Sequence, residues 1–298
     1  MFRLGLCCKF KKAPIKFRTT TATAMLKRDR GDALRYISEL CLHNASALQE
    51  ALHYCSAHHI GAFRINSQIL PLKTHPDAGY KFEHLPNHTV ISSEFKSCGR
   101  FASEHDIRLS FHPDQFVLLS SLREDVTRKS IEELSYQALV ASWVGADVIN
   151  IHGGGAYGDK ESALKRVAAR INQLPEPVRT RLTIENDDRV YTPADLLPLC
   201  RETGIPFVYD IHHHRCLPDD LTVEQATQQA LATWNREPLF HISSPKNGWN
   251  NANPKWHHDY IQTEDIPDEW RGLHLTVDVE AKAKELAVEK LYRHEVSA

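Results

Sequence analysis

The stretch Asp147-Val148-Ile149-Asn150-Ile151-His152 is a short, mainly apolar run that ends in a histidine. A run of this kind is typical of a strand in a parallel sheet that is covered by helices. Seven other strand-sized runs rich in Val, Ile, Leu or Phe occur along the chain, with helical patterns between them. The eight predicted strands are Arg3–Cys8, Ile60–Ile65, Ile107–Phe111, Asp147–Ile151, Leu182–Ile184, Pro206–Tyr209, Leu239–Ile242 and Leu275–Val279.

The helical patterns between these runs predict the fold class. They are Ala45–His58, with Asn44 as a possible N-cap, and Ser93–Glu104, Asp125–Trp143, Lys160–Asn172, Pro193–Arg201, Val223–Trp234 and Ala281–Arg293. Eight strand–helix units in 298 residues favour an α/β fold of the TIM (β/α)8-barrel type, folded as a single domain over residues 1–298. The competing interpretation is an open doubly wound sheet, but no Gly-x-Gly-x-x-Gly turn follows the first strand. We therefore expect no nucleotide cofactor.

Charge is unevenly distributed along the chain. Residues 1–30 contain nine basic residues and one acid, a net charge of +8, whereas the other 268 residues contain 27 basic and 37 acidic residues. A basic segment on an acidic body can be a nucleic-acid-binding arm or a solvated chain end. We expect residues 9–30 to form a basic, mobile segment.

The numbers of cysteines and histidines indicate the cellular compartment and the kind of site to expect. The seven cysteines are odd in number and have no ligand-pair spacing, which favours a reduced, cytoplasmic protein. No stretch approaches the roughly 18–20 consecutive apolar residues of a membrane helix, and none resembles a secretion signal. We expect a monomer without membrane contact. The 18 histidines are an excess that directs attention to metal binding.

Potential metal ligands end or occupy the last six predicted strands in succession. They are His112, His152, Glu185, Asp210, His241 and Glu280. The carboxyl ends of parallel barrel strands meet at one mouth, where barrel active sites lie. A single such residue is more often a hydrogen-bonded core histidine or a helix cap. Six in succession favour a shared, multinuclear metal site, because cations compensate the cost of burying these groups.

Three further histidines have weaker signals. His213 lies in a run of three histidines that can instead be a solvent-exposed turn. His257 competes with its neighbours His258 and Asp259 for a ligand role. His75, which precedes a proline, can contact metal or substrate, although a loop role is equally consistent with its position.

Mixed imidazole and carboxylate ligands suit Zn, Mn or Fe better than Ca or Mg alone. A carboxylate such as Glu185 can bridge two ions roughly 3.5–4 Å apart, an arrangement that suits phosphodiester hydrolysis. Two alternatives stay open on the residues alone. One is a metal enzyme acting on a small molecule or peptide, such as a sugar isomerase, an epimerase or an iron oxidase. The other is a non-catalytic binding protein with a structural metal cluster.

Six motifs extend across nearly the whole chain. They are Phe63-Arg64-Ile65-Asn66-Ser67, Phe111-His112-Pro113-Asp114-Gln115, His152-Gly153-Gly154 with Tyr157-Gly158, Ile184-Glu185-Asn186-Asp187, Asp210-Ile211-His212-His213 and Val279-Glu280-Ala281-Lys282. In this order they resemble the UV damage endonuclease family, a TIM-barrel group related to endonuclease IV. The resemblance implies a metal-dependent DNA repair hydrolase that incises damaged duplex DNA 5′ to UV photoproducts and related lesions.

The resemblance also implies roles for individual residues. It assigns two to three divalent ions, often Mn, with Zn or Fe as alternatives. One ion is held by His112, His152 and Glu185, a second by Glu185, Asp210, His241 and Glu280, and a third by His213 and His257. Glu185, Asp210 and Glu280 are then the catalytic carboxylates. Gln115 matches a residue that probes the DNA stack, and we expect Phe116, His75 and Asn66 to contact DNA beside it.

Three positions depart from the family pattern. Leu6 stands where a Tyr usually follows Arg-Leu-Gly, and Phe116 stands where a Tyr follows the probing Gln. Leu239 replaces a Lys that can be carboxylated. The expected metal ligands are intact, so these departures bear on the substrate range more than on hydrolytic capacity.

Overall fold

Eight strands alternate with helices in the computed structural model, which describes residues 2–297. The strands are β1 (Arg3–Cys7), β2 (Ala62–Ile65), β3 (Arg108–Phe111), β4 (Val148–His152), β5 (Leu182–Glu185), β6 (Phe207–Val208), β7 (Leu239–Ile242) and β8 (Thr276–Val279). Each strand overlaps the apolar run that predicts it. Continuous apolar character therefore identified every strand of this sheet.

The sheet is parallel and closes on itself almost completely. Its strand order is β6-β5-β4-β3-β2-β1-β8-β7. Between the two outer strands, a parallel bridge pairs Asp210 with His241, and the His241 amide donates to the Tyr209 carbonyl at 3.0 Å. The predicted TIM-type barrel is thus confirmed, and the open doubly wound sheet is the wrong alternative.

Ten α-helices surround or cap the barrel within residues 2–297. They are α1 (Ala22–Leu26), α2 (Arg30–Ala57), α3 (His88–Glu104), α4 (Glu124–Val144), α5 (Lys160–Gln173), α6 (Glu176–Arg179), α7 (Pro193–Thr203), α8 (Ile211–Cys216), α9 (Val223–Leu231) and α10 (Glu285–Ser297). Short 3-10 turns cover Phe82–His84, Thr263–Asp265 and Asp268–Trp270. None of the helices in this part of the chain is both long and apolar enough to cross a bilayer.

Helix α2 begins fifteen residues before the predicted start at Ala45. Its N-cap is Asp29, whose side chain accepts from the Gly31 amide at 2.9 Å, so the assignment of Asn44 as the N-cap is wrong. Asn44 is buried in mid-helix and bonds to the amide and carbonyl of Arg18 and to the carbonyl of Ile69, at 2.7–2.9 Å. Asparagine favours helix ends in general. Here a tertiary hydrogen-bond network places it inside the helix.

Replacing Asn44 by alanine is expected to lower the free energy of unfolding by about 1–3 kcal/mol, because backbone groups of Arg18 and Ile69 lose their partner. Urea denaturation measures this change. Ser46→Ala is the matched control, since Ser46 is exposed on the same helix, and we expect it to stay within about 0.5 kcal/mol of the parent. Equal stability of the two variants would contradict the structural role of Asn44.

The basic segment 9–30 lies against the barrel. The amides of residues 11–13 donate to the buried carboxylate of Glu285 at 2.6–3.1 Å. The ring of Phe10 stacks on Phe63, with centroids 6.1 Å apart. These contacts bring the positive charge of the segment beside the barrel. The mobility expected for residues 9–30 stays a prediction, which amide hydrogen exchange can test.

Two apolar clusters fill the molecule around a polar layer. The larger packs the helices onto the barrel and contains Leu6, which is fully buried. The smaller consists of Val148, Val208 and Leu239. Side chains two residues apart on a strand point to the same face, so along β7 His241 follows Leu239 on the same side. The interior of the barrel thus changes from apolar to polar toward the carboxyl ends of its strands.

Candidate metal centre and substrate cleft

The carboxylate of Glu185, at the end of β5, lies at the centre of the polar layer. Its Oε2 accepts from Asn150 Nδ2 at 2.5 Å and lies 3.1 Å from His112 Nε2. Its Oε1 lies 3.1 Å from His241 Nδ1 and 3.3 Å from His213 Nδ1. Side chains from β4, β7 and α8, together with His112 just after β3, thus converge on this one buried carboxylate.

Asp210 organises the short helix that carries His213. Its side chain caps α8 by accepting from the His213 amide at 2.7 Å. Asn186 holds Asp210 through its side chain, donating to the Asp210 carbonyl at 2.8 Å and accepting from the Asp210 amide at 2.9 Å. The run of three histidines is therefore helical, and its interpretation as a solvent-exposed turn is wrong. The cap turns the His213 ring toward the site, where its Nδ1 lies 3.6 Å from Asp210 Oδ2.

Glu280, which follows β8, completes the layer. Its Oε1 accepts from Arg64 Nη1 at 2.6 Å and lies 3.6 Å from His241 Nδ1. Its Oε2 lies 3.8 Å from His257 Nδ1. His258 Nδ1 instead lies within hydrogen-bonding distance of the backbone amide and carbonyl of Tyr260, at 3.0 and 2.9 Å. Of these two histidines, His257 is therefore the one that faces the carboxylate.

These side chains form three groups whose potential ligand atoms lie within 4.8 Å of one another. The groups are His112 with His152 and Glu185, then Glu185 with Asp210 and His213, and finally Asp210 with His241 and Glu280. Glu185 and Asp210 each belong to two groups. The first group is the set expected for one ion. His213 is grouped with Glu185 and Asp210 instead of with His257, whose ring centroid lies 6.4 Å from that of His213.

Several of these atoms are buried without a hydrogen-bond partner in the described structure. They are Glu185 Oε1, Asp210 Oδ2, His152 Nδ1 and both ring nitrogens of His241. Buried polar atoms are nearly always satisfied in native proteins, and leaving them unpaired is costly. Divalent cations would satisfy the atoms that face the ligand groups, among them Glu185 Oε1, Asp210 Oδ2 and His241 Nδ1. The mixed nitrogen and oxygen donors suit Mn, Zn or Fe, so these residues fit a metal centre.

Electrostatics keeps the carboxylates of Glu185 and Glu280 ionised. Burial acts to raise the pKa of Glu185, but the adjacent His241 and His152 outweigh it and hold this pKa well below the usual value. For Glu280, burial likewise acts to raise the pKa, and the Arg64 guanidinium reverses the shift so that this pKa is also well below normal. Both groups are therefore available as anionic ligands.

The imidazoles respond to the same fields. Burial acts to lower the pKa of His241, but Glu185 overcomes it and raises the pKa to about 9. The pKa of His213 is also raised, because Asp210 and Glu185 outweigh its burial. The pKa of His152 is lowered, with burial as the largest cause. Protonated His241 and His213 thus supply positive charge beside the carboxylates, which bound divalent cations would supply instead.

An open cleft of about 880 Å³ lies above the metal-ligand layer. We call it the mouth cleft; its lining includes Lys9, Lys16, Arg64, Asn66, His112, Gln115, Phe116, His152, Glu185, His213 and Glu280. Phe116 is 75% exposed at this surface. Five of the eight expected ligands and three of the four expected DNA contacts, Gln115, Phe116 and Asn66, therefore line one cavity.

His75, the fourth expected DNA contact, lies elsewhere. It lines a neighbouring cavity of about 720 Å³, which shares Phe116 with the mouth cleft. Its Nδ1 accepts from the amides of Asp77 and Ala78 at 3.2 and 3.1 Å. This is the loop role that the sequence left open. A direct DNA contact by His75 stays a prediction.

Comparison with known proteins assigns the family. The family model described as UV-endonuclease UvdE matches residues 2–298. The chain belongs to this family. A UV DNA damage endonuclease of Bacillus velezensis is 34% identical over 308 residues, covering 98% of this chain and 93% of the relative. The resemblance inferred from the six motifs is therefore confirmed.

Solved structures place the UvdE barrel among related folds. The crystal structure of SacUVDE has a TM-score of 0.87 and 27% identity, covering 100% of this chain and 99% of that one. Endonuclease IV from Thermus thermophilus has a TM-score of 0.62 and 15% identity, with 99% of each chain covered. The second likeness shows a shared fold.

Four residues of the UvdE site support other side chains, and the sequence alone did not predict this role for them. Asn150 and Asn186 hold Glu185 and the backbone of Asp210, while Arg64 and Asp278 lie beside Glu280 and His241. Their signal was a polar residue at an interior position of an apolar strand, or beside a strand end. Such residues complete the partners of the ligand-type side chains.

Proposed function

We propose that this UvdE-family protein is a DNA repair endonuclease that hydrolyses one phosphodiester bond 5′ to a UV-type or related lesion. The observation that carries the proposal is the sharing of Glu185 and Asp210 among three ligand groups, with Glu185 lining the mouth cleft. Shared carboxylates are the arrangement that sets two cations at the roughly 3.5–4 Å spacing used for phosphodiester hydrolysis. The family names and the open cleft support a polymeric substrate.

Two or three divalent ions would be held by the side chains of this layer, with Mn favoured and Zn or Fe as alternatives. The carboxylate ligands are Glu185, Asp210 and Glu280, and the imidazole ligands are His112, His152, His213, His241 and His257. Bound divalent ions supply Lewis acidity to the phosphodiester and lower the pKa of water. Asn150 and Arg64 fix the carboxylates on either side by direct hydrogen bonds. The protein thereby holds the ligand geometry before the substrate arrives.

Lesion recognition is proposed for the loop after β3. Gln115 and Phe116 are both exposed there, and the Phe116 ring is free to stack against bases. Stacking on an aromatic ring requires no particular base, whereas extruding a damaged pair costs less than extruding a sound one. Phe116 has no hydroxyl, so its ring can stack on a base but cannot form a hydrogen bond to it. We therefore expect the range of lesions to be set by how far each lesion weakens base pairing.

Phosphate contacts are proposed for Lys9 and Lys16, which line the mouth cleft. We expect a Lys9→Gln, Lys16→Gln double variant to bind duplex DNA more weakly, with the slope of log K against log salt concentration reduced by about two. Fluorescence anisotropy across a salt series measures the slope. Lys165→Gln is the control, since Lys165 is exposed on α5 and pairs with Glu161. A slope equal to that of the control would contradict the phosphate role.

Incubation of the full chain with Mn²⁺ and a duplex carrying one photoproduct tests the proposed function. We expect a single cut 5′ to the lesion, mapped on a sequencing gel. The same duplex without damage and the same reaction with a chelator should each stay uncut. If incision with Mn²⁺ is no greater than incision in the presence of the chelator, for each of several types of lesion, the proposal is rejected.

A further inference from the structure

Asp278 is a buried carboxylate below the ligand layer that has no role in the scheme above. Its side chain is 1% exposed, and neither of its oxygens has a hydrogen-bond partner in the described structure. Its Oδ2 lies 3.7 Å from His241 Nε2 and 4.0 Å from Arg64 Nη1. Burying an ionised carboxylate without partners is expensive, so this position calls for a compensating contact.

The two nitrogens of His241 face different carboxylates. Nδ1 points into the candidate metal centre, 3.1 Å from Glu185 Oε1, 3.6 Å from Glu280 Oε1 and 4.0 Å from Asp210 Oδ2. Nε2 points the other way, toward Asp278. The ring therefore separates the ligand layer from the Asp278 carboxylate.

The barrel wall has space for Asp278 because of a glycine on the neighbouring strand. Parallel pairing aligns Asp278 with His241 on one side and with Gly5 on the other. A Cβ atom at position 5 would lie 2.1 Å from Asp278 Oδ1. The carboxylate thus occupies room that any other residue at position 5 would take away.

We propose that Asp278 is a positioning residue: when a cation is bound, the 3.7 Å separation between its Oδ2 and His241 Nε2 shortens, Asp278 accepts the Nε2 proton, and Nδ1 is left free to ligate the cation. A neutral imidazole carries one N–H, and a metal-binding histidine almost always donates it to a carboxylate or carbonyl on its far side. The competing role, charge balance for Arg64, is already filled by Glu280 at 2.6 Å. The proposal rests on the metal centre of the proposed function.

Nitrogen NMR of the full chain, labelled at histidine and loaded with Zn²⁺, tests the assignment directly. We expect the His241 signals, identified with a His241→Gln variant, to show a protonated Nε2 and an unprotonated Nδ1. A proton on Nδ1 in the parent protein overturns the proposal. This measurement needs no substitution at Asp278, so it decides the question even if variants there fold poorly.

Zn²⁺ titration by calorimetry provides the second test. Asp278→Asn is expected to weaken binding at one ion by roughly 10- to 100-fold without removing it. Asp265→Asn is the matched control, because Asp265 is a buried acid bonded to Trp249 and Arg215 outside the ligand groups; its affinity should stay within about twofold of the parent.

The titration outcomes separate this proposal from the function itself. An Asp278→Asn affinity equal to that of the parent overturns the positioning role. Loss of one whole equivalent of Zn²⁺ also overturns it, since Asp278 would then be a direct ligand. A parent protein that binds no divalent ion removes the metal centre, and both proposals fall together.

Discussion

Replacing Glu185 by glutamine is expected to slow incision of photoproduct DNA by at least roughly 10³-fold. Glu185 belongs to two of the three ligand groups, so its charge supports more than one cation. Loss of this charge should remove several kcal/mol of transition-state stabilisation. Because about 1.36 kcal/mol changes the rate tenfold, this loss corresponds to the expected factor. The measurement is the single-turnover rate with end-labelled duplex at saturating Mn²⁺.

Glu161→Gln is the matched control for this variant. Glu161 is an exposed acid on α5 that pairs with Lys165, away from the mouth cleft. Its incision rate should equal that of the parent. Retention of more than about a tenth of the parent rate by Glu185→Gln would contradict a role for this carboxylate in the reaction.

Replacing Phe116 by alanine should have the next largest effect. An aromatic ring that stacks on a base contributes about 1–3 kcal/mol, so kcat/KM on damaged duplex should fall roughly 5- to 150-fold. Because the ring is 75% exposed and is not part of the core, the fold should be unaffected. Steady-state incision assays and thermal melting test the two parts of this expectation.

Two further variants make the Phe116 test specific. Phe116→Tyr keeps the stacking face and should retain incision. Leu139→Ala removes another partly exposed apolar side chain, on α4, and should leave kcat/KM unchanged. Parent-like incision by Phe116→Ala would contradict the stacking role and would move lesion recognition elsewhere in the mouth cleft.

The fold could be predicted because its strands are short apolar runs that recur with helical patterns between them. The helix boundaries were harder to place. Helix α2 was predicted to begin at Ala45 because Asn44 is a preferred cap residue, yet Asn44 bonds to Arg18 and Ile69 instead. Those partners are distant in sequence, so no local pattern reveals them.

The candidate site could also be predicted in part: its main carboxylates could be predicted, but the contacts that support them could not. Ligand-type residues at successive strand ends identified Glu185, Asp210 and Glu280 before any geometry was known. The pairing of His213 with two carboxylates depends on the cap that starts α8. The supporting roles of Arg64 and Asp278 depend on the register between strands, which a single sequence does not encode in any local motif.

Anomalous scattering from crystals soaked in Mn²⁺ tests the central claim most directly. The account predicts two or three peaks within coordinating distance of Glu185, Asp210 and Glu280, with His112 and His241 among the ligands. Well-ordered crystals that show Mn²⁺ bound only elsewhere, or no peak at this layer under saturating metal, would contradict it.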